Sequence, residues 1–296
     1  MRVFVTGATG NIGTAVVAEL IGAGHQVLGL CRSTEKEAAL RAAGAQAHRG
    51  SIDDPASLMA GAADADGVIH LAFNHDFSRF AASCEEDRGV IAALASALQG
   101  SDRPLIVTSG TAIVAGVAGQ PARETDAIVS THPRAASEQA AAAAAANGTN
   151  VSVVRLAQVH DPVSQGLVTP LTALYRQRGR CDYIGDGTQR WPAVPLADAA
   201  RLYRLAIERA QPGANYHAVA EEGITLREIA HVLGERLGLP VGSITAAQAQ
   251  EHFGWLARFA CHDLPASSEQ TRHQLGWVPT GPRLVDDLRR LVLDHG

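Results

Sequence analysis

The feature that constrains this chain most is the turn Thr6-Gly7-Ala8-Thr9-Gly10-Asn11-Ile12-Gly13, set directly after the apolar run Val3–Thr6. Each glycine answers a physical need. Gly7 permits a tight turn off a strand, Gly10 lets backbone N–H groups approach a pyrophosphate, and Gly13 allows close packing of the following helix. That helix is legible in Ile12, Val16, Val17, Leu20 and Ile21 at helical spacing, with Gly22 and Gly24 as a stop. Its start would face an anion with unpaired N–H groups and a positive dipole end. Gly7, Thr9, Gly10, Asn11, Ile12 and Gly13 are therefore the candidate pyrophosphate cradle.

The pattern continues. Short apolar runs at Val3–Thr6, Gln26–Leu30, Gln46–Arg49, Gly67–Leu71, Leu105–Ser109 and Val151–Leu156 alternate with helical stretches. Several are apolar throughout, as parallel strands covered on both faces must be. This predicts βαβ units and a doubly wound parallel α/β sheet of the Rossmann type. Ala135–Ala146 is nearly pure alanine and ends at Asn147-Gly148, a helix with its stop. After Leu156 the pattern loosens. Helices are expected at Asp198–Ala210 and Leu226–Leu237, with a further strand in Asn215–Ala220. Residues 1–157 read as the dinucleotide-binding unit, with elements near 194–220 returning to it. Residues 158–296 read mainly as a smaller substrate lobe.

Composition narrows the function classes. Hydrophobic residues make up 46% of the 296, enough for a sizeable core. A formal net charge of −5 with no basic block points away from nucleic acid. No apolar run has membrane length and no leader pattern follows Met1, so a cytoplasmic protein without a membrane partner is expected. Cys31, Cys84, Cys181 and Cys261 make no CxxC and no zinc spacing, and the histidines show no ligand spacing, so no metal is expected.

The end of the second strand bears on the cofactor. NAD binders place an acid there to accept from the ribose hydroxyls. This chain has Cys31-Arg32-Ser33. Arg32 is suited to pair with a 2′-phosphate and Ser33 to donate to it, which favours NADP(H) over NAD(H).

Taken together, these residues resemble the extended and atypical short-chain dehydrogenases/reductases, in the manner of NAD-dependent epimerases and dehydratases. Thr-Gly-x-x-Gly-x-x-Gly matches their nucleotide motif. Gly67-Val68-Ile69-His70-Leu71-Ala72 resembles their fourth strand and Leu105-Ile106-Val107-Thr108-Ser109-Gly110-Thr111 their fifth. Val194-Pro195-Leu196-Ala197-Asp198-Ala199-Ala200 is similar to their VHVDDVA stretch, and Leu226-Arg227-Glu228-Ile229-Ala230 to a C-terminal helix. The resemblance implies that Ser51 and Ile52 border the adenine and that Leu71, Ala72 and Phe73 lie beside the cofactor. It also implies a small-molecule substrate and allows a homodimer.

The departure is catalytic. Family enzymes carry Tyr-x-x-x-Lys on the helix after the fifth strand. Here the only lysine is Lys36, and the residues four on from Tyr175, Tyr183, Tyr203 and Tyr216 are Gly179, Gly187, Ile207 and Ala220. Arg134 and Glu138 stand at the corresponding place, spaced to form an ion pair on one helix face. In the functional reading Arg134 faces the substrate and Glu138 accepts from the nicotinamide ribose.

The remaining candidates follow from position. Ser109 and Thr111 end the fifth strand as oxyanion-side donors, with Thr111 preferred because Gly110 shifts the register. His75, next to Asp76, is a candidate tuned acid. Asn74, His160, Tyr183 and Trp191 are candidate substrate contacts, Trp191 being the one most readily explained by packing. Two functions are carried forward. One is an NADPH-dependent reductase of a carbonyl, imine or activated alkene on a small organic substrate. The other is a non-catalytic NADP(H)-responsive regulatory binding protein.

Overall fold

The computed structural model describes residues 1–293. Its first half alternates β1 (Arg2–Thr6), α1 (Asn11–Gly22), β2 (Gln26–Cys31), α2 (Thr34–Ala42), β3 (Gln46–Arg49), α3 (Pro55–Ala63), β4 (Gly67–His70), α4 (Phe80–Leu98), β5 (Leu105–Gly110), α5 (Ala135–Ala146) and β6 (Val151–Leu156). Then follow β7 (Gln158–His160), α6 (Val168–Arg178), β8 (Cys181–Ile184), β9 (Arg190–Pro195), α7 (Leu196–Arg209), β10 (Asn215–Ala218), β11 (Glu221–Thr225), α8 (Leu226–Leu237) and β12 (Val241–Ile244). The short helices α9 (Ala249–Phe253), α10 (Ala257–Ala260), α11 (Glu269–Leu275) and α12 (Leu284–Arg289) complete the chain.

Seven strands form one parallel sheet in the order β10-β6-β5-β4-β1-β2-β3. The order reverses between β1 and β4, and a crevice opens beyond the strand ends at such a switch point. Alternate strand residues serve opposite faces. Val3, Val5, Ile69, Ile106 and Val154 pack with α1 and α7. Phe4, Val68, Leu105, Val107, Val151 and Val153 pack with α3, α4 and α5. The near-continuous apolar runs follow directly, since both faces are covered.

The alanines of α5 bury Ala140, Ala141 and Ala144 against the sheet and α4, and helix and sheet sit close because no longer side chain intervenes. Gly148 takes the left-handed conformation after this helix. A separate core gathers α6, α8, α9, α10 and α12 with β8 and β9 around Tyr175, Trp191 and Phe253. β9 pairs with β7 and β11, and β8 with β12. β10 returns to the main sheet beside β6.

Candidate functional site

The crevice at the switch point holds about 700 Å³. Gly7 and Gly10 form its floor, and Leu71, Ala72, Phe73, Asn74 and His75 form one wall. The glycines are forced. Gly7 has φ +68°, and a Cβ there would lie 2.8 Å from the Ala72 nitrogen. A Cβ on Gly13 would lie 1.9 Å from the Gly7 carbonyl oxygen, so helix and turn could not approach. The space left open and the N–H groups of the α1 start fit a dinucleotide pyrophosphate.

At the far end, Arg32, Ser33, Ser51 and Ile52 line the crevice as expected, joined by Lys36 and Asp53. Ser33 caps α2 by accepting from the Lys36 N–H at 3.3 Å, which leaves its own hydroxyl proton to donate. Asp53 accepts from the Ser51 hydroxyl at 3.1 Å. Lys36 stands one helical turn past Ser33, and the first turn of α2 brings it into the crevice.

Beyond β4 and β5 the strands end in a row of polar residues facing α4 and α5. Register places Thr6 opposite His70, and Arg155 opposite both Ser109 and His217. The row is linked to the helices. The Thr6 hydroxyl oxygen and His70 Nδ1 are 2.7 Å apart, and it also accepts from the Leu71 and Ala72 N–H groups. His70 Nε2 lies 3.0 Å from the Asp87 carboxylate. Asp87 further accepts from Ser137 at 2.5 Å and from Arg134 at 2.8 Å. Two backbone donors on Thr6 leave its hydroxyl proton for Nδ1, so His70 presents Nε2–H to Asp87.

Burial pushes the Asp87 carboxyl up, but the hydrogen bond from His70, the Arg134 cation and the Ser137 bond outweigh it. The net value sits below the ordinary carboxylate range. Arg134 also donates to Ser137 and to the Thr108 carbonyl, each at 2.9 Å, and its guanidinium lies 4.0 Å from the Phe73 ring centroid. Cradle, crevice wall and α5 are thereby tied through one buried carboxylate.

Several expectations are corrected. Arg134 does not pair with Glu138: the Glu138 carboxylate receives two hydrogen bonds from Arg155, at 3.0 and 2.9 Å. β6 and α5 face each other there, and this long-range contact wins over the local spacing. Glu138 lines a different cavity, beside α5 and β6, and not the dinucleotide crevice. Thr111 donates to the Leu156 carbonyl at 3.3 Å, whereas the buried Ser109 hydroxyl has no partner among the described residues. The preference between the two therefore reverses.

Asp76 caps a turn through the Ser78 N–H and hydroxyl instead of tuning His75. Desolvation, with the Arg134 charge added, holds the His75 pKa below its usual value although the residue keeps contact with solvent. At neutral pH it is an imidazole, not a proton-loaded acid. His160 is buried with its Nδ1 2.7 Å from Asp287, and Trp191 is core, donating to the Phe259 carbonyl. Tyr183 sits on β8 beside His231, within the second core's periphery. None of these three lines the crevice.

Asp87, His70 and Arg155 were missed. Period-2 reading would have found the last two, since each is the polar residue on an inward face whose other positions are apolar. Asp87 lies mid-helix, and only the packing of α4 against the sheet reveals its partners. Among the described residues, no group of side chains could hold a metal ion, and no helix is long and apolar enough to cross a membrane.

Residues 3–220 match the family model described as the NAD dependent epimerase/dehydratase family. The chain belongs to this family. It is 43% identical to an uncharacterised protein of Schizosaccharomyces pombe, over 97% of this chain and 98% of that one. It is 28% identical to a 2-alkyl-3-oxoalkanoate reductase of Stenotrophomonas maltophilia, over 98% of each. Its fold matches the dTDP-glucose 4,6-dehydratase of Streptomyces venezuelae, solved with NAD bound, with a TM-score of 0.77 at 20% identity, over 98% of this chain and 95% of that one. The short-chain dehydrogenase/reductase resemblance and the doubly wound sheet are thereby shown. Enzymes of this family work with a nicotinamide dinucleotide, and the glycine cradle fits one.

Proposed function

We propose that the protein is a reductase that uses NADPH on a carbonyl, imine or activated alkene of a small organic substrate, through a site without the usual Tyr/Lys pair. The observation that carries the reading is the far end of the crevice. Arg32, Ser33 and Lys36 converge there, and the acid present, Asp53, already accepts from Ser51. Two cations and a hydroxyl donor suit the extra phosphate of NADP(H), and no acid at the end of β2 serves a free ribose diol.

When bound, the nicotinamide supplies the hydride. The chain's own groups do the rest. Gly7, Gly10 and the α1 start hold the pyrophosphate. Arg134 is engaged by Asp87, Ser137 and the Thr108 carbonyl, so it positions the start of α5 against Phe73 of the crevice wall instead of facing the substrate. Ser109 offers the hydrogen bond at the substrate atom. Without a tyrosine to protonate an alkoxide, an imine is the electrophile best matched to this site, because it takes its proton from water readily.

The test is titration with NADPH and NADH followed by absorbance assays against ketones, imines and enones. NADPH should bind more tightly and be consumed, and Ser109→Ala should lower kcat more than Thr111→Val. NADPH binding with no consumption would favour the regulatory reading, which the saturated state of Arg134 makes a real competitor. Preference for NADH would overturn the assignment of Arg32.

A further inference from the structure

Lys36 is the only lysine of the chain. The fold sets it at the far end of the dinucleotide crevice, which Arg32 and Ser33 also line. Its backbone N–H donates to the Ser33 hydroxyl oxygen at 3.3 Å, which fixes residue 36 beside that hydroxyl. Arg32, Ser33 and Lys36 are all exposed. Among the described residues no carboxylate pairs with either cation. Glu37 is drawn to Arg41 at 2.6 Å, Asp53 accepts from the Ser51 hydroxyl at 3.1 Å, and Glu35 does not line the crevice.

Two unpaired cations and a hydroxyl draw a dianionic phosphate, and here they also put an amine beside whatever that phosphate is bonded to. A lysine amine can act as a nucleophile, whereas a guanidinium stays protonated. In NADP(H) the atom beyond the phosphate ester oxygen is a ribose carbon, which an amine does not attack. In an acyl phosphate it is a carbonyl carbon, one oxygen away from phosphorus, with phosphate as the leaving group. An acyl thioester on a long phosphorylated carrier keeps its carbonyl far from its phosphates and gains nothing from this arrangement.

We infer that this end of the crevice directs the acylation of Lys36 by small acyl phosphates, and that the acyl group weakens the hold on NADP(H). The second half rests on the NADP(H) reading; the first needs only an anion site. Lys36 Nζ gives a proton to solvent and attacks the carbonyl carbon. The N–C bond forms and the C–O bond to phosphate breaks. The leaving phosphate keeps the bonding pair and takes up a proton, the amide nitrogen loses its second proton, and nothing is oxidised or reduced. Acylation cancels the lysine charge and leaves Arg32 as the one guanidinium or ammonium lining the crevice.

The experiment treats the full chain with acetyl phosphate, or with p-nitrophenyl acetate as an uncharged acyl donor, and follows Lys36 by peptide mass mapping. Acetyl phosphate should modify Lys36, and saturating NADPH should block the modification. Arg32→Ala should slow it by about tenfold, the loss of one charge-assisted hydrogen bond. p-Nitrophenyl acetate should modify Lys36 at the same rate in wild type and in Arg32→Ala. The acetylated chain should bind NADPH about tenfold more weakly and NADH as before. An acetyl phosphate rate that Arg32→Ala leaves unchanged, or that falls equally for both donors, would overturn the inference, as would modification under saturating NADPH or an acetylated chain with unaltered NADPH affinity. Equal affinity of the untreated chain for NADPH and NADH, with acetyl phosphate acylation still dependent on Arg32, would sink the NADP(H) reading and leave the directed acylation standing. A preference for NADPH without Arg32-dependent acylation would do the reverse.

Discussion

Replacing Asp87 by asparagine tests whether one buried carboxylate holds the cradle and α5 together. The carboxylate is 4% exposed as a residue and accepts from His70, Arg134 and Ser137. Asparagine keeps the shape but turns one acceptor oxygen into a donor. If the amide oxygen faces Arg134 and Ser137, the NH₂ meets His70 Nε2–H, and His70 must move its proton to Nδ1. If it faces His70, the guanidinium of Arg134 meets a donor. Either way a mostly buried cation loses its counter-charge. Removing one partner of such a pair costs about 3–5 kcal/mol, and the retained amide oxygen reduces this to about 2–4 kcal/mol.

The assay is urea denaturation followed by tryptophan emission, since Trp191 and Trp277 are buried. The sign with pH follows from the direction of the shift. The Asp87 carboxyl is held below its ordinary value, so its contribution is complete above the unfolded-chain value of about 3.9 and is lost as pH falls through the folded value. The gap between wild type and Asp87→Asn should be full at neutral pH and narrow below about pH 4. A neutral-pH difference within about 0.5 kcal/mol, the size of an ordinary surface change, would refute the network.

Four further outcomes follow from the geometry. Glu138→Gln should destabilise by about 2–4 kcal/mol because it strands Arg155, yet leave NADPH affinity unchanged by titration. Gly13→Ala should abolish dinucleotide binding in a fluorescence titration, because its methyl would collide with the Gly7 carbonyl. Arg32→Ala and Lys36→Ala should each weaken NADPH by about tenfold and NADH little, as expected for a charge-assisted bond of about 1.5 kcal/mol or more. Raising pH from about 7 to 8 should leave the His75→Asn difference in kcat flat, since desolvation and the Arg134 charge hold His75 below its usual value of about 6.5; a change over that range that is lost in the variant would reinstate His75 as an acid.

The turn from Thr6 to Gly13 and the two-faced apolar strands were readable because their causes are local: backbone conformation at glycine, and the alternation of side chains along a strand. The α5 stretch Ala135–Ala146 and the α8 stretch Leu226–Leu237 were legible to the residue, since their stops at Gly148 and Gly238 need left-handed backbone. The missing Tyr/Lys pair was equally plain, since it needs only a count of lysines and tyrosines. What the chain order could not decide was which charged groups meet. Arg134 and Glu138 are four apart, but their partners are Asp87, 47 residues away, and Arg155, 17 residues away. Burial removes water from both arginines, and the pairs that survive are those the packed sheet and helices bring within hydrogen-bond distance. The same is true of Lys36, carried into the crevice by one turn of α2, and of His160 and Trp191, drawn into cores by strands whose neighbours lie far along the chain.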